Sequence, residues 1–118
     1  MKNRPFHKRL GFASAGLVAA WRRERSFRTQ SIIGLIAIVV TAVLRPGLLW
    51  AGLVTLAVAL VLAFELINSA LEHLIDHIHP TIAPEIKLAK DVAAAAVLVV
   101  SIAAVGVGIL MIIDWLRH

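Results

Sequence analysis

Residues 48–76 read LLWAGLVTLAVALVLAFELINSALEHLID, an unbroken apolar run that carries its first charge at Glu65. From Leu48 to about Leu71 the run is long enough, at about 1.5 Å per helical residue, to cross a hydrocarbon core about 30 Å thick. Glu65, Asn68, Glu72 and Asp76 follow one another at steps of three, four and four, which at about 100° per residue places them within a sector of about 80° on one helix. Glu65, flanked by Phe64, Leu66 and Ile67 near the end of the span, is the informative member. A carboxylate in that position is costly, and ionisable groups kept inside membrane segments are functional by default.

Outward toward the N-terminus, Arg45-Pro46-Gly47 predicts a tight turn, because Pro46 disfavours helical geometry at Arg45 and Gly47 tolerates unusual dihedrals. Before it, Ser31 to Leu44 is uncharged but short for a span, so the helix is expected to run over about 27–45, with Arg28 and Arg45 snorkelling. Outward toward the C-terminus, a proline-containing loop over 77–84 precedes a third span over about 92–113, which ends at Asp114, Trp115 and Arg117. Ala93 to Ala96 and the pair Gly106 and Gly108 predict close helix packing along that span.

Composition agrees: 60% hydrophobic and 16% charged residues in a 118-residue chain are incompatible with a soluble domain of that size. The net charge of +5 is pooled, with Lys2, Arg4, Lys8, Arg9, Arg22, Arg23, Arg25 and Arg28 all preceding the first long apolar run. Over 6–28 apolar and basic residues alternate, and Leu10, Ala13, Leu17, Ala20, Trp21 and Glu24 recur at three- or four-residue steps, or nearly so. An amphipathic surface helix on anionic headgroups accounts for this pattern, which calmodulin-target helices and nucleic-acid arms share. No cleaved signal peptide is expected, since the basic segment passes through Glu24 and Gln30 before any apolar core begins. Ten basic residues on the side of the N-terminus and the 72–91 connection, against Arg45 and Arg117 on the other, predict that both charged segments are cytoplasmic. The expected architecture is an all-α membrane protein, one domain over 1–118 with a surface helix and three transmembrane helices. With no cysteine, thiolate metal sites and disulfides are excluded.

Carboxylates, an amide and a lysine suit phosphoryl transfer, where oxygen ligands hold a hard metal ion and a cation offsets phosphate charge. None of the seven glycines stands in a Walker A or kinase-type loop. The residues alone therefore reach a membrane-boundary carboxylate site. A purely structural alternative has Glu65 fastening helices through Arg28 or Lys90.

Glu65-Leu-Ile-Asn68-Ser69-Ala70-Leu71-Glu72, then Asp76, then Ala89-Lys90-Asp91-Val-Ala-Ala-Ala-Ala-Val97-Leu98 resembles the pattern E-x-x-N-S/T-A-I-E-x-x-x-D followed by A-K-D-x-A-x-x-A-V-L of the prokaryotic diacylglycerol kinase family. Ala20-Trp21, Glu24 and Phe27-Arg28 resemble the family's amphipathic N-terminal segment, so the likeness covers nearly the whole chain. It implies a homotrimeric kinase of the bacterial inner membrane that moves the γ-phosphate of ATP, as a magnesium complex, to the hydroxyl of diacylglycerol to give phosphatidic acid; an undecaprenol kinase branch belongs to the same family. By position, the resemblance makes Glu65 the general base, Glu24 and Glu72 the Mg2+ ligands, Asn68, Asp76, Lys90 and Asp91 the surroundings of the nucleotide phosphates, and Trp21, Phe27 and Arg28 a lipid-facing surface. Leu71 in place of Ile, Ala95 where many members have Gly, and Gln30 where some have an acid are departures.

The chemistry fits that assignment. A primary hydroxyl is a poor nucleophile near neutrality, and a carboxylate in apolar surroundings takes its proton better than an exposed one. Three helices wall off such a group poorly, so cover for Glu65 from a neighbouring protomer is expected. A proton-coupled transporter built on Glu65 is the competing functional class; it requires that residue near mid-membrane and has no use for Glu72, Asp76, Lys90 and Asp91 at one face. A holin-like scaffold leaves the stripe without a role. His73 and His77, with Asp76 and His79, have spacing usable for zinc.

Overall fold

The computed structural model describes residues 3–81 and 83–118; Lys2 of the basic cluster and position 82 of the predicted loop lie outside the described residues. The described chain is helical: α1 spans Phe6–Arg23, α2 Arg25–Leu44, α3 Leu48–Ile78 and α4 Pro84–Arg117. The last three are long and apolar enough to cross a membrane. Their outer surfaces carry Leu35, Val43, Leu56, Leu98, Ile102 and Val105, all exposed. Burial is confined to a few seam positions, because between helices in lipid the organising force is close packing and polar contact rather than removal of apolar surface from water.

The expected 6–28 helix is divided at Glu24, whose backbone is extended with φ −107° and ψ 103°. The Arg28 guanidinium turns back across the break and donates to the carbonyl oxygens of Trp21 at 2.8 Å and Arg22 at 3.1 Å. A cation thereby satisfies carbonyls that the end of α1 leaves without helical partners. At the other end of α2, Arg45 takes the left-handed conformation, φ 52° and ψ 58°, and its N–H bonds the Thr41 carbonyl at 3.0 Å. Pro46 bars the right-handed helical region to Arg45, and Gly47 at φ 113° completes the reversal.

The seam of α2 is Phe27, Gly34 and Thr41, one every seven residues, and that of α3 is Val54, Val61, Glu65 and Ser69. The backbones come so close that a Cβ on Gly34 would lie 2.7 Å from Cγ1 of Val58. Gly106 and Gly108 differ from expectation: a Cβ on either would meet nothing within 4 Å, so their smallness is not used for packing inside one chain. At the turn end, Trp50 Nε1 donates to Asp114 Oδ2 at 2.8 Å and Trp115 Nε1 to the Leu44 carbonyl at 2.9 Å, joining α2, α3 and α4 through amphipathic indoles of the kind enriched at membrane interfaces.

Val58 is β-branched and stiff, so Gly34→Ala is expected to destabilise the protein by about 1–3 kcal/mol through overpacking. Val58→Ala in the same chain should recover most of that loss in thermal melts in detergent; strictly additive losses would contradict the contact.

Candidate functional site

The charged end of the bundle is built from the first turn of α2, the last turns of α3 and the start of α4. Glu65 occupies a position on the α3 seam where Val61 stands one turn and Val54 about three turns earlier, so its side chain enters the helix interface rather than facing outward. It is 3% exposed in the single chain. Cover from a neighbouring protomer is therefore not needed to bury it, contrary to the expectation from helix count, because the first turn of α2 lies over it. Ser26 Oγ donates a hydrogen bond to Glu65 Oε1 at 3.0 Å. Neither Arg28 nor Lys90 pairs with Glu65: Arg28 serves the α1 carbonyls and Lys90 binds Asp76. The alternative in which Glu65 acts as an ion-pair fastener is not what the structure contains.

One turn beyond, Asn68 Nδ2 reaches Glu72 Oε1 at 3.4 Å, while Asn68 Oδ1 is buried with no hydrogen-bond partner among the described residues. Glu24, at the α1–α2 break, faces His73 Nε2 at 2.6 Å across a crevice between α1 and α3 that Gly16, Ala20 and Ser69 also line. His73 is thus engaged by Glu24, His79 contacts the Thr81 carbonyl, and the described residues contain no group of three or more His, Asp or Glu able to hold a metal. That removes the geometric basis for a zinc site. Mg2+ needs less protein, since it takes one or two carboxylates and completes its shell with water and phosphate. The Glu72 and Glu24 carboxylates are hard oxygen donors of the kind such an ion takes.

Lys90, at the start of α4, reaches back to Asp76 on α3, as its place at the head of the third span implies. Asp91 pairs with Lys87 at 2.7 Å instead of with its neighbour Lys90. That carboxylate raises the exposed Lys87 ammonium above its ordinary value, through the hydrogen bond first and its charge second. On the expected lipid-facing surface Trp21 is exposed, but Phe27 is not: it is 6% exposed and packs within the protein as the first member of the α2 seam. Arg28 is committed to the α1 terminus.

An apolar groove of about 690 Å³ runs between α2, α3 and α4 and is lined by Gln30, Gly34, Thr41, Val58, Ser101 and Gly108 among others. Gln30 lies one helical turn from Ser26 on the same face, so the groove leads toward the residue that touches Glu65. Sequence reasoning did not single out Ser26. Its partner is 39 residues away, and no local periodicity distinguishes a serine that crosses to another helix from one facing solvent.

Fold and geometry together give a small all-helical protein with three helices apolar enough to cross a membrane and a cluster of carboxylates toward one end of α3. The family profile described as prokaryotic diacylglycerol kinase matches residues 11–112. The chain is similar to the diacylglycerol kinase of Escherichia coli (strain K12), 36% identical over 98 residues that cover 83% of this chain and 80% of that protein. It also resembles the diacylglycerol kinase of Helicobacter pylori (strain ATCC 700392 / 26695), at 38% identity over 78% of this chain and 72% of the relative. The same is true of the diacylglycerol kinase of Synechocystis sp. (strain ATCC 27184 / PCC 6803 / Kazusa), at 37% over 82% of this chain and 56% of the relative. The chain belongs to the prokaryotic diacylglycerol kinase family.

The Lys90–Asp76 pair is partly exposed, 34% and 62% at the two side chains, and such pairs contribute about 0–1 kcal/mol. Lys90→Met should therefore shift the thermal midpoint in detergent by only a few degrees; a loss of the folded state would show that this pair, rather than the seam, holds α4 in place.

Proposed function

We propose that this protein is an ATP-dependent lipid kinase that transfers the γ-phosphate of ATP, as its magnesium complex, to the hydroxyl of diacylglycerol, giving phosphatidic acid. The observation that carries the reading is the buried Glu65 carboxylate, free of any cationic partner among the described residues and one helical turn beyond Val61, which lines the apolar groove. At about 1.5 Å per residue Glu65 lies about 26 Å along α3 from its start at Leu48, Asn68 about 30 Å and Glu72 about 36 Å. Against a hydrocarbon core about 30 Å thick, these depths favour a base just inside the boundary, with Asn68 at the boundary and Glu72 beyond it. A lipid alcohol entering from the apolar side and a nucleotide entering from water meet at that depth.

The same arithmetic disfavours a proton-coupled transporter, which requires Glu65 about 15 Å along the helix, near mid-membrane. The names of the relatives favour diacylglycerol over undecaprenol as the acceptor. The pooled basic residues favour an inner-membrane orientation with the N-terminus and the 72–91 connection in the cytoplasm. Assembly as a homotrimer follows the family, and it would give the open Gly106 and Gly108 face of α4 a neighbouring helix to approach.

In the reaction, Glu65 accepts the proton of the lipid hydroxyl as that oxygen forms its bond to the γ-phosphorus and the bond from γ-phosphorus to the bridging oxygen of the leaving ADP breaks. Lys90 offsets charge on the phosphate oxygens, with Asp76 holding its ammonium at the mouth of the site, and Asn68, through its amide N–H, completes the polar surroundings of the nucleotide. Asp91 orders the approach to the phosphates from α4. Glu24 and Glu72 would hold the magnesium ion, which supplies charge neutralisation to the nucleotide phosphates when bound. Trp21 on the surface, with Arg28 fixing the α1–α2 break behind it, borders the headgroup region where the acceptor enters.

The test is incubation of purified protein in mixed micelles with labelled ATP and, separately, diacylglycerol and undecaprenol. Label is expected in diacylglycerol; label in undecaprenol alone would move the enzyme to the other branch, and label in neither would overturn the kinase reading. Glu65→Gln keeps the shape of the side chain and should leave folding intact while reducing transfer by about 10²- to 10⁴-fold. Glu72→Ala should raise the magnesium concentration needed for half-maximal rate, and an unchanged magnesium titration would contradict that ligand.

A further inference from the structure

We infer that Ser26 is a positioning residue for the proposed base, holding Glu65 by one carboxylate oxygen so that the other is presented to the acceptor hydroxyl. The inference rests on the lipid kinase reading and adds to it a residue outside the phosphate-handling stripe. Glu65 has two oxygens and, among the described residues, one hydrogen-bond donor: Ser26 Oγ, 3.0 Å from Oε1. No Lys, Arg or His forms an ion pair with it among those residues. A carboxylate so deeply buried and unpaired by charge depends on that hydroxyl for both its orientation and its partial solvation.

Ser26 is an exposed residue whose position is set by its neighbours in the chain. It stands in the first turn of α2, two residues after the break at Glu24. The next residue, Phe27, is locked in the seam, and Arg28 is tied to the Trp21 and Arg22 carbonyls. A hydroxyl in a first helical turn commonly bonds its own helix terminus. This one crosses to α3 instead, and Glu24, the N-cap residue of α2, makes no side-chain cap bond. The α1–α2 break therefore sets the position of a donor for the base, and support of this kind from a second layer of residues is what keeps reacting groups in productive geometry. During transfer the lipid hydroxyl's proton passes to Glu65 Oε2 and the hydroxyl oxygen takes the γ-phosphoryl group from ATP, with ADP leaving. Ser26 stays on Oε1 throughout and exchanges no proton.

The test compares wild type, Ser26→Ala, Ser26→Thr, Ser26→Val and Glu65→Gln, measuring steady-state transfer from labelled ATP to diacylglycerol in mixed micelles together with thermal midpoints. Loss of one hydrogen bond to a charged group predicts a kcat reduced about 10- to 100-fold in Ser26→Ala, with KM for ATP and for diacylglycerol within about twofold of wild type. Thr and Val are nearly isosteric and differ in the hydroxyl, so Ser26→Thr should exceed Ser26→Val in kcat by at least about tenfold; this pair decides the matter if the alanine variant folds poorly. Equal kcat in the Thr and Val variants, or a wild-type kcat in Ser26→Ala beside an inactive Glu65→Gln, would overturn the role of Ser26 and leave the kinase reading standing. Absence of lipid phosphorylation by the wild type would overturn the reading itself, and Ser26 would then have no base to position.

Discussion

Burying a carboxylate between helices in lipid is the constraint on which the rest of this structure depends. An ionised group removed from water is costly unless hydrogen-bonded, and Glu65 occupies a seam position that Val61 fills one turn and Val54 about three turns earlier. The first turn of α2 resolves the conflict by bringing a hydroxyl onto the acid and a phenyl ring into the seam beside it. That arrangement requires α1 and α2 to be separate helices. The break at Glu24, stabilised by Arg28 across the end of α1, is thus part of the site although it lies on the approach to the first span.

A division of labour along α3 follows. Its first two-thirds is a membrane element whose polar contacts lie at the turn end, through Trp50, Asp114, Trp115 and Leu44. Its last third carries Asn68, Glu72 and Asp76 on the same sector as Glu65, where α4 meets it through Lys90. Because one continuous helix carries all four groups, their spacing is set by helical geometry rather than by loop conformation, which is how a chain without a glycine-rich phosphate loop can fix groups for phosphate chemistry.

Much of this was legible in the residues. The three spans, the Arg45–Gly47 reversal and the Glu65 to Asp76 stripe follow from hydropathy, proline and glycine chemistry and helical periodicity, and the structure has all of them. What escaped is what depends on partners distant in sequence. The break at Glu24 was invisible because the amphipathic period runs smoothly through it; the serine on Glu65 was invisible because its partner is on another helix. Phe27 was expected on a lipid-facing surface from the family resemblance and is buried, since its phase matches Gly34 and Thr41 rather than Trp21. Gly106 and Gly108 suggested packing, yet a single chain leaves them open.

In the proposed reaction a carboxylate screened from water inside the helix seam, Glu65, receives the acceptor's proton. A membrane-soluble carbodiimide, which reaches carboxyls from the apolar phase, examines it directly when site occupancy is read by peptide mass and compared with residual lipid phosphorylation. The account predicts modification at Glu65, loss of turnover in proportion to it, and protection when acceptor lipid and nucleotide are both present. Full turnover in protein whose Glu65 is stoichiometrically modified would contradict it.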